Sequence, residues 1–189
     1  SGISIIIPVI FPTAKSFLDY GGGYGIFVRR MRDLGFDFEW YDKYCENIFA
    51  KGHEQKKNHY NVVTAFELFE HLEDPVNTCK ELLSLGDNLI FSTELLPVPN
   101  PKPQEWWYYC TDHGQHIFFY EKKSLEMLAK MYNKHYYSIN GFHIFSSEVL
   151  NIKEIKWKLS AGLIGKIYRR LNRDNRTSLL ESDYKNIVS

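Results

Sequence analysis

At 189 residues the chain has the size of one domain, long enough for folding to bury roughly 70% of the unfolded surface. Its 23 basic and 23 acidic residues cancel, so overall charge gives no nucleic-acid footprint, and no nucleic-acid partner is expected. Cys45, Cys79 and Cys110 are widely spaced and form no CxxC pair, which argues against a disulfide framework or a cysteine zinc site and makes the reduced cytoplasm the expected location.

In chain order, the apolar run 3–11 is interrupted by Pro8 and falls far short of the ~20 residues that span a bilayer. It also lacks the charged start of a signal peptide. Ser1 and Gly2 read as a truncation point or cloning remnant and carry no weight in the fold. Residues 16–18 then form a short apolar strand candidate that runs into Asp19-Tyr20-Gly21-Gly22-Gly23-Tyr24-Gly25. Glycines suit a sharp strand-to-helix turn because they accept positive φ and leave no Cβ where a ligand lies against the backbone. Ile26, Phe27, Met31 and Leu34 recur at helical spacing up to a stop at Gly35, which places the loop at a helix N-terminus, where electron-rich groups are favoured. A second strand candidate, 38–41, ends on Asp42, about twenty residues past the loop, where an acid can accept both hydroxyls of a ribose.

Residues 46–50 suggest a helical turn or two, 53–59 are polar, and 60–66 read as a buried strand. The spacing from Asp42 to that strand leaves little room for a full intervening strand, so a third strand is expected to be short or absent. Val76, Cys79, Leu82 and Leu83 predict a helix stopped at Gly86, and 88–93 a further buried strand. Pro97, Pro99, Pro101 and Pro103 mark an extended loop before the aromatic block Trp106-Trp107-Tyr108-Tyr109. Ser124 can cap a helix carrying Leu125, Leu128, Ala129 and Met131, and Asn140-Gly141 joins a terminal antiparallel hairpin over 136–139 and 142–146. Alternating strands and helices predict an α/β fold with a mostly parallel sheet covered on both faces.

The glycine register separates ligand classes. A dinucleotide fingerprint needs a small residue where this chain has Ile26 or Val28, and a phosphate-cradling loop would need Gly-Lys-Ser/Thr. What remains is acidic-x-Gly-x-Gly-x-Gly through Asp19, Gly21, Gly23 and Gly25, which resembles the cofactor loop of class I S-adenosylmethionine-dependent methyltransferases. Residues 62–75 resemble the strand-to-helix passage with an E-x-x-EHL-x-DP pattern in small methyltransferases, read here through Glu67, Glu70, His71 and Asp74. With Glu94, the Trp-Trp-Tyr-Tyr block and His113-Gly-Gln-His116 in this order, the chain is similar over about 15–145 to a bacterial subgroup of the methyltransferase type 11/23 families.

The resemblance implies a Rossmann-like fold and S-adenosylmethionine as cofactor. It implies a sugar, nucleotide-sugar, glycan or other small-molecule acceptor, methylated on a hydroxyl or amine. A catalytically inactive scaffold with the same fold is the alternative. Strand-end positions assign Asp19, Tyr20, Gly21, Gly22, Gly23, Asp42, Ala65, Phe66 and Glu67 to the cofactor. A hydroxyl acceptor needs a base, for which Glu67, His113 and His116 are candidates. Glu94, Trp106, Trp107 and Tyr108 are the substrate candidates, the tryptophans as an aromatic wall. His71, one turn beyond Glu67, is expected to orient a loop. Cys110-x-x-His113-x-x-His116 has ligand-type residues but no fourth ligand, and no metal is expected. The methyltransferase domain is placed at 3–150 and a basic amphipathic helical extension at 151–189. For that extension, docking on the domain, contact with an acidic membrane surface or phosphate-bearing substrate, and dimerisation stay open, with monomer or homodimer as the expected assembly.

Overall fold

The computed structural model describes residues 2–112, 114–160 and 176–188. Six strands form one sheet: β1 (Phe17–Tyr20), β2 (Phe38–Tyr41), β3 (Tyr60–Ala65), β4 (Gly86–Phe91), β5 (His135–Ile139) and β6 (Phe142–Ser146), in the order β2-β1-β3-β4-β6-β5. The first four run parallel, and β6 lies antiparallel to both β4 and β5. This is a Rossmann-like α/β architecture with a terminal hairpin. The chain reverses its winding between β1 and β3, which opens a crevice beyond the carboxyl ends of those strands.

Alternation along each strand divides the core in two. Phe17, Phe38, Val62, Ile90 and Ile144 face one layer, which contains α1 (Gly2–Ile10), α2 (Ile26–Asp33) and α5 (Ile152–Leu159). Leu18, Val63, Leu89, Phe91 and Phe145 face the other, covered by α3 (Pro75–Leu85) and α4 (Lys122–Met131). Helix α1 is an element that the apolar run 3–11, read only as too short to span a bilayer, left unassigned. Ile3, Ile6, Ile7 and Ile10 recur at one face of a helix and are all buried, each contributing about 1.5–3 kcal/mol of apolar transfer. Pro8 hides that spacing in the sequence, yet the helix accommodates it.

The third strand is reduced to one bridge. Trp40 in the edge strand β2 pairs in parallel with Glu54, its amide donating to the His53 carbonyl and its carbonyl accepting from the Gln55 amide, both at 2.8 Å. Residues 46–50 do not form the expected helical turn, because Asn47 takes the backbone bonds for its own side chain: its amide donates to the Ala50 carbonyl (2.7 Å) and its oxygen accepts from the Ala50 amide (2.9 Å). Helix α4 begins before Ser124, with Glu121 at the cap position. Helix α3 covers the predicted spacing and stops at Gly86; it starts on Asp74, whose side chain accepts from the Asn77 amide, with Pro75 following.

The described parts of the C-terminal extension dock on the domain. Helix α6 (Leu180–Val188) sets Asp183 against α2, where Arg32 donates to its carboxylate from two nitrogens (2.9 and 2.8 Å) and Arg29 from a third (2.9 Å). Ahead of α6, the Arg176 guanidinium stacks over Phe36 at 4.1 Å, and the 176–177 backbone presses on Gly35, where a Cβ would lie 2.5 Å from the Thr177 carbonyl oxygen. Gly35 thus ends α2 and admits the returning chain. Residues 161–175, which hold much of the predicted basic stripe, lie outside the described residues. No helix among the described residues is long and apolar enough to cross a membrane.

Candidate cofactor and acceptor site

The loop between β1 and α2 is held in place from three directions. Gly21 and Gly22 donate from their amides to the Tyr41 carbonyl (2.8 and 3.1 Å), tying the loop to the end of β2. Trp40 donates from its indole nitrogen to the Gly23 carbonyl (2.9 Å), and Asp42 accepts the Gly23 amide (2.9 Å). The second Asp42 oxygen accepts the Tyr44 and Cys45 amides, both at 2.8 Å. Gly21, Gly23 and Gly25 all have positive φ. A side chain at Gly22 would begin 2.7 Å from the Trp40 ring and 2.9 Å from Asp19, whereas above Gly23 nothing lies within 4 Å. The cradle is closed underneath and open outward.

Asp19 lies beneath this cradle, 3% exposed, its carboxylate accepting the Thr64 hydroxyl at 2.6 Å. Burial lifts its pKa from 3.8 to about 7; the Thr64 hydroxyl opposes the rise and the Asp42 charge adds to it. The folded protein therefore holds a proton that the unfolded chain releases near pH 4, so Asp19 weakens the fold as pH rises from about 4 to about 7. The Asp19→Asn variant is expected to lack this loss, so that its melting temperature gains on the parent as pH increases across that window. Parallel melting curves between pH 4 and 8 check it.

The remaining predicted residues group around the same crevice. Tyr20 turns its hydroxyl to Glu81 on α3 (2.8 Å), leaving its backbone at the loop. Ala65 ends β3, fully buried, and Phe66 packs edge-on between Phe27 and Phe142. Glu67 follows with positive φ, its amide donating to Ser92 Oγ (3.0 Å) and its carboxylate accepting from the same hydroxyl (2.6 Å), which joins the ends of β3 and β4. Glu94 is exposed.

Residues 94–112 and 114–120 build a cap over that end of the sheet, its two ends joined where Leu95 bridges Tyr120. Trp106 is half-buried among Tyr108, Tyr109 and Phe119, while Trp107 is 73% exposed. Tyr108 is buried, its hydroxyl 3.2 Å from Thr93 Oγ. His116 packs against the Tyr108 ring (centroids 4.4 Å apart, tilted by 55°) and donates from Nδ1 to the Tyr108 carbonyl (2.7 Å). His113 lies outside the described residues.

Two groups that sequence reasoning left unassigned also belong to the site. Trp40 reads as an ordinary strand residue, and only the fold shows its indole clamping the loop. Glu70 stands in the EHL pattern, and no spacing rule marks its side chain as buried. It is fully buried on a one-turn 3-10 helix (Phe69–His71), and neither carboxylate oxygen has a hydrogen-bond partner. The Tyr108 hydroxyl is near enough to act on Glu70 electrostatically but meets no hydrogen-bond geometry there. Burial holds the Glu70 carboxyl above its ordinary range. His71 does orient the loop, its Nδ1 donating to the Gln115 carbonyl at 2.8 Å.

The family model described as "Methyltransferase domain" matches residues 6–136. No curated protein matches the sequence. Among solved structures, the chain is similar to an O-methyltransferase family protein from Burkholderia thailandensis (13% identity, 77% of this chain and 55% of that one, TM-score 0.52). It is also similar to TnmH (12%, 78% and 54%, TM-score 0.56). A third is the plantazolicin methyltransferase BpumL, solved with a pentazolic desmethylPZN analogue and SAH (16%, 93% and 79%, TM-score 0.54). At these identities the likeness is one of fold. The chain spans about half the length of the first two proteins.

Proposed function

The chain belongs to the methyltransferase-domain family, and on that premise we propose that it transfers a methyl group from S-adenosylmethionine to a small-molecule acceptor. The observation that carries this reading is the clamped, outward-open glycine cradle beside Asp42, set at the crevice where the sheet reverses its winding. These residues fit an adenosine-type cofactor. Space is free above Gly23, and Asp42 is half-exposed with lone pairs left after its three amide bonds, enough to accept ribose hydroxyls. Gly21 to Gly23 and Asp19 would hold the amino-acid end of the cofactor, and Ala65-Phe66-Glu67 would flank its adenosine.

The cofactor supplies an activated methyl on a sulfonium, so the protein's task is alignment and exclusion of water. Orientation of this kind can supply roughly 7–11 kcal/mol of the barrier. The acceptor lies under the cap, where the Trp106 and Trp107 faces suit a flat or sugar-like ring. With a hydroxyl acceptor, its oxygen forms the new bond to carbon as the sulfur–carbon bond breaks, and its proton passes to Glu67 or His116. An amine acceptor needs less assistance. Resemblance puts sugars, nucleotide sugars and glycans first in an acceptor screen.

The test is calorimetric titration with S-adenosylmethionine, S-adenosylhomocysteine and NAD, followed by a methyl-transfer screen. Saturable binding of the two sulfur compounds, no binding of NAD, and turnover with at least one acceptor are expected. Failure of both sulfur compounds to bind would overturn the reading; binding with no turnover across the screen would favour a scaffold.

A further inference from the structure

Beside the cofactor crevice, Glu70, His71 and His116 bring three ligand-type atoms within 4.8 Å of one another. Sequence spacing conceals this group, since His116 stands 45 positions beyond His71; the fold joins them through the Glu70 carbonyl, which accepts the Ile117 and Phe118 amides at 2.9 and 3.1 Å. Both imidazoles are oriented alike. The Nδ1 of His71 faces the Gln115 carbonyl and that of His116 faces the Tyr108 carbonyl. A carbonyl only accepts, so each Nδ1 carries the proton and each Nε2 presents a lone pair. The ring centroids are 5.0 Å apart at 73°. Histidines that ligate metals are held in this way, by a backbone carbonyl on the far nitrogen.

The second observation is independent of the histidines. Glu70 is fully buried and both its oxygens are without a hydrogen-bond partner, an arrangement that costs the fold unless something compensates the charge. From these facts we infer that Glu70, His71 and His116 bind a divalent first-row transition ion, of the Zn²⁺, Mn²⁺, Co²⁺ or Fe²⁺ class, through one carboxylate and two Nε2 atoms. Two nitrogens and one oxygen suit these ions and leave coordination positions open. Ligands lie ~2.0–2.2 Å from such an ion, so small side-chain rotations close the set. His71 is exposed and His116 half-buried, which leaves an entry path from solvent.

The use of the ion rests on the methyl-transfer reading, while its binding does not. An open position next to the acceptor would take the acceptor hydroxyl and lower its pKa. His116 is then a ligand, and the proton passes to Glu67. The Cys110 sulfur takes no part; it faces the Trp107 carbonyl at 3.6 Å.

The experiment uses the full chain, stripped with chelator and titrated with Zn²⁺, Mn²⁺ and Co²⁺. One equivalent should bind, Co²⁺ should give visible absorption of a protein-bound ion, and Zn²⁺ should shift the Nε2 resonances of two histidines. Glu70→Gln, His71→Ala and His116→Ala should each weaken Zn²⁺ by at least about 10- to 100-fold, the loss that outer-shell partners alone produce. His59→Ala, at the opposite end of β3, should leave binding unchanged. Titration with S-adenosylhomocysteine runs beside each, so metal binding without cofactor binding would sink the functional reading and leave the ion site standing. Absence of stoichiometric binding by the parent protein, or equal binding by folded variants, would overturn the site. Should the variants fail to fold, unchanged histidine resonances in the parent on Zn²⁺ addition would overturn it as well.

Discussion

Replacing Asp42 with alanine is expected to lower affinity for S-adenosylhomocysteine on the order of 100-fold, the largest effect of any single change at the cofactor site. Hydrogen bonds to a charged acceptor contribute about 1.5–3 kcal/mol each, so losing the bond to even one ribose hydroxyl already reaches that range. The variant also releases the Gly23, Tyr44 and Cys45 amides, so the glycine loop loses one of its clamps along with the ribose acceptor. Asp42→Asn separates the two roles. Its amide oxygen can keep the Tyr44 and Cys45 amides, while its NH₂ faces the Gly23 amide and cannot accept. Calorimetry on both variants, with melting curves as control, measures the split. Unchanged affinity in Asp42→Ala would remove Asp42 from the cofactor site.

On stability, the largest expected effect is Arg32→Met. Arg32 and Asp183 are 8% and 2% exposed at their side chains, and the pair is bidentate. Burial alone would raise the Asp183 carboxyl; the Arg32 guanidinium holds it below the ordinary range. Removing the cation leaves the buried carboxylate with Arg29 at 2.9 Å and the His53 Nε2 at 3.4 Å but without its bidentate partner, and breaking such a pair costs about 3–5 kcal/mol. For a domain of this length that is roughly 10 °C in melting temperature. The same change frees Asp37 and the Phe38 carbonyl, which Arg32 also serves (2.7 and 2.9 Å). The double variant Arg32→Met/Asp183→Leu should recover part of the loss, because no charge then stays buried alone. Hydrogen exchange over α2 and α6 reports whether the helix undocks; equal protection in parent and Arg32→Met would show that the pair does not hold it.

Local pattern was enough for the parts of this protein whose cause is local. Positive φ favours glycine, and Gly21, Gly23 and Gly25 all adopt it, so the loop at 21–25 is legible from residue type, as is the acid that follows the next strand. Short apolar runs made β1, β2, β3, β4 and the terminal hairpin readable, and apolar residues at helical spacing made helices α2, α3 and α4 so; the short interval before Tyr60 foretold the reduced third strand. Helix α1 stayed hidden because Pro8 interrupts an otherwise helical isoleucine spacing, and residues 46–50 misled because Asn47 competes with the backbone for the same bonds. What only the tertiary structure decided are the pairings between distant segments. Trp40 under Gly23, Asp183 on Arg32, and Glu70 with His71 and His116 each depend on which segments the sheet order brings side by side. A sequence records the residues of such a group, but burial and distance, which set their electrostatics, exist only once the chain has closed around them.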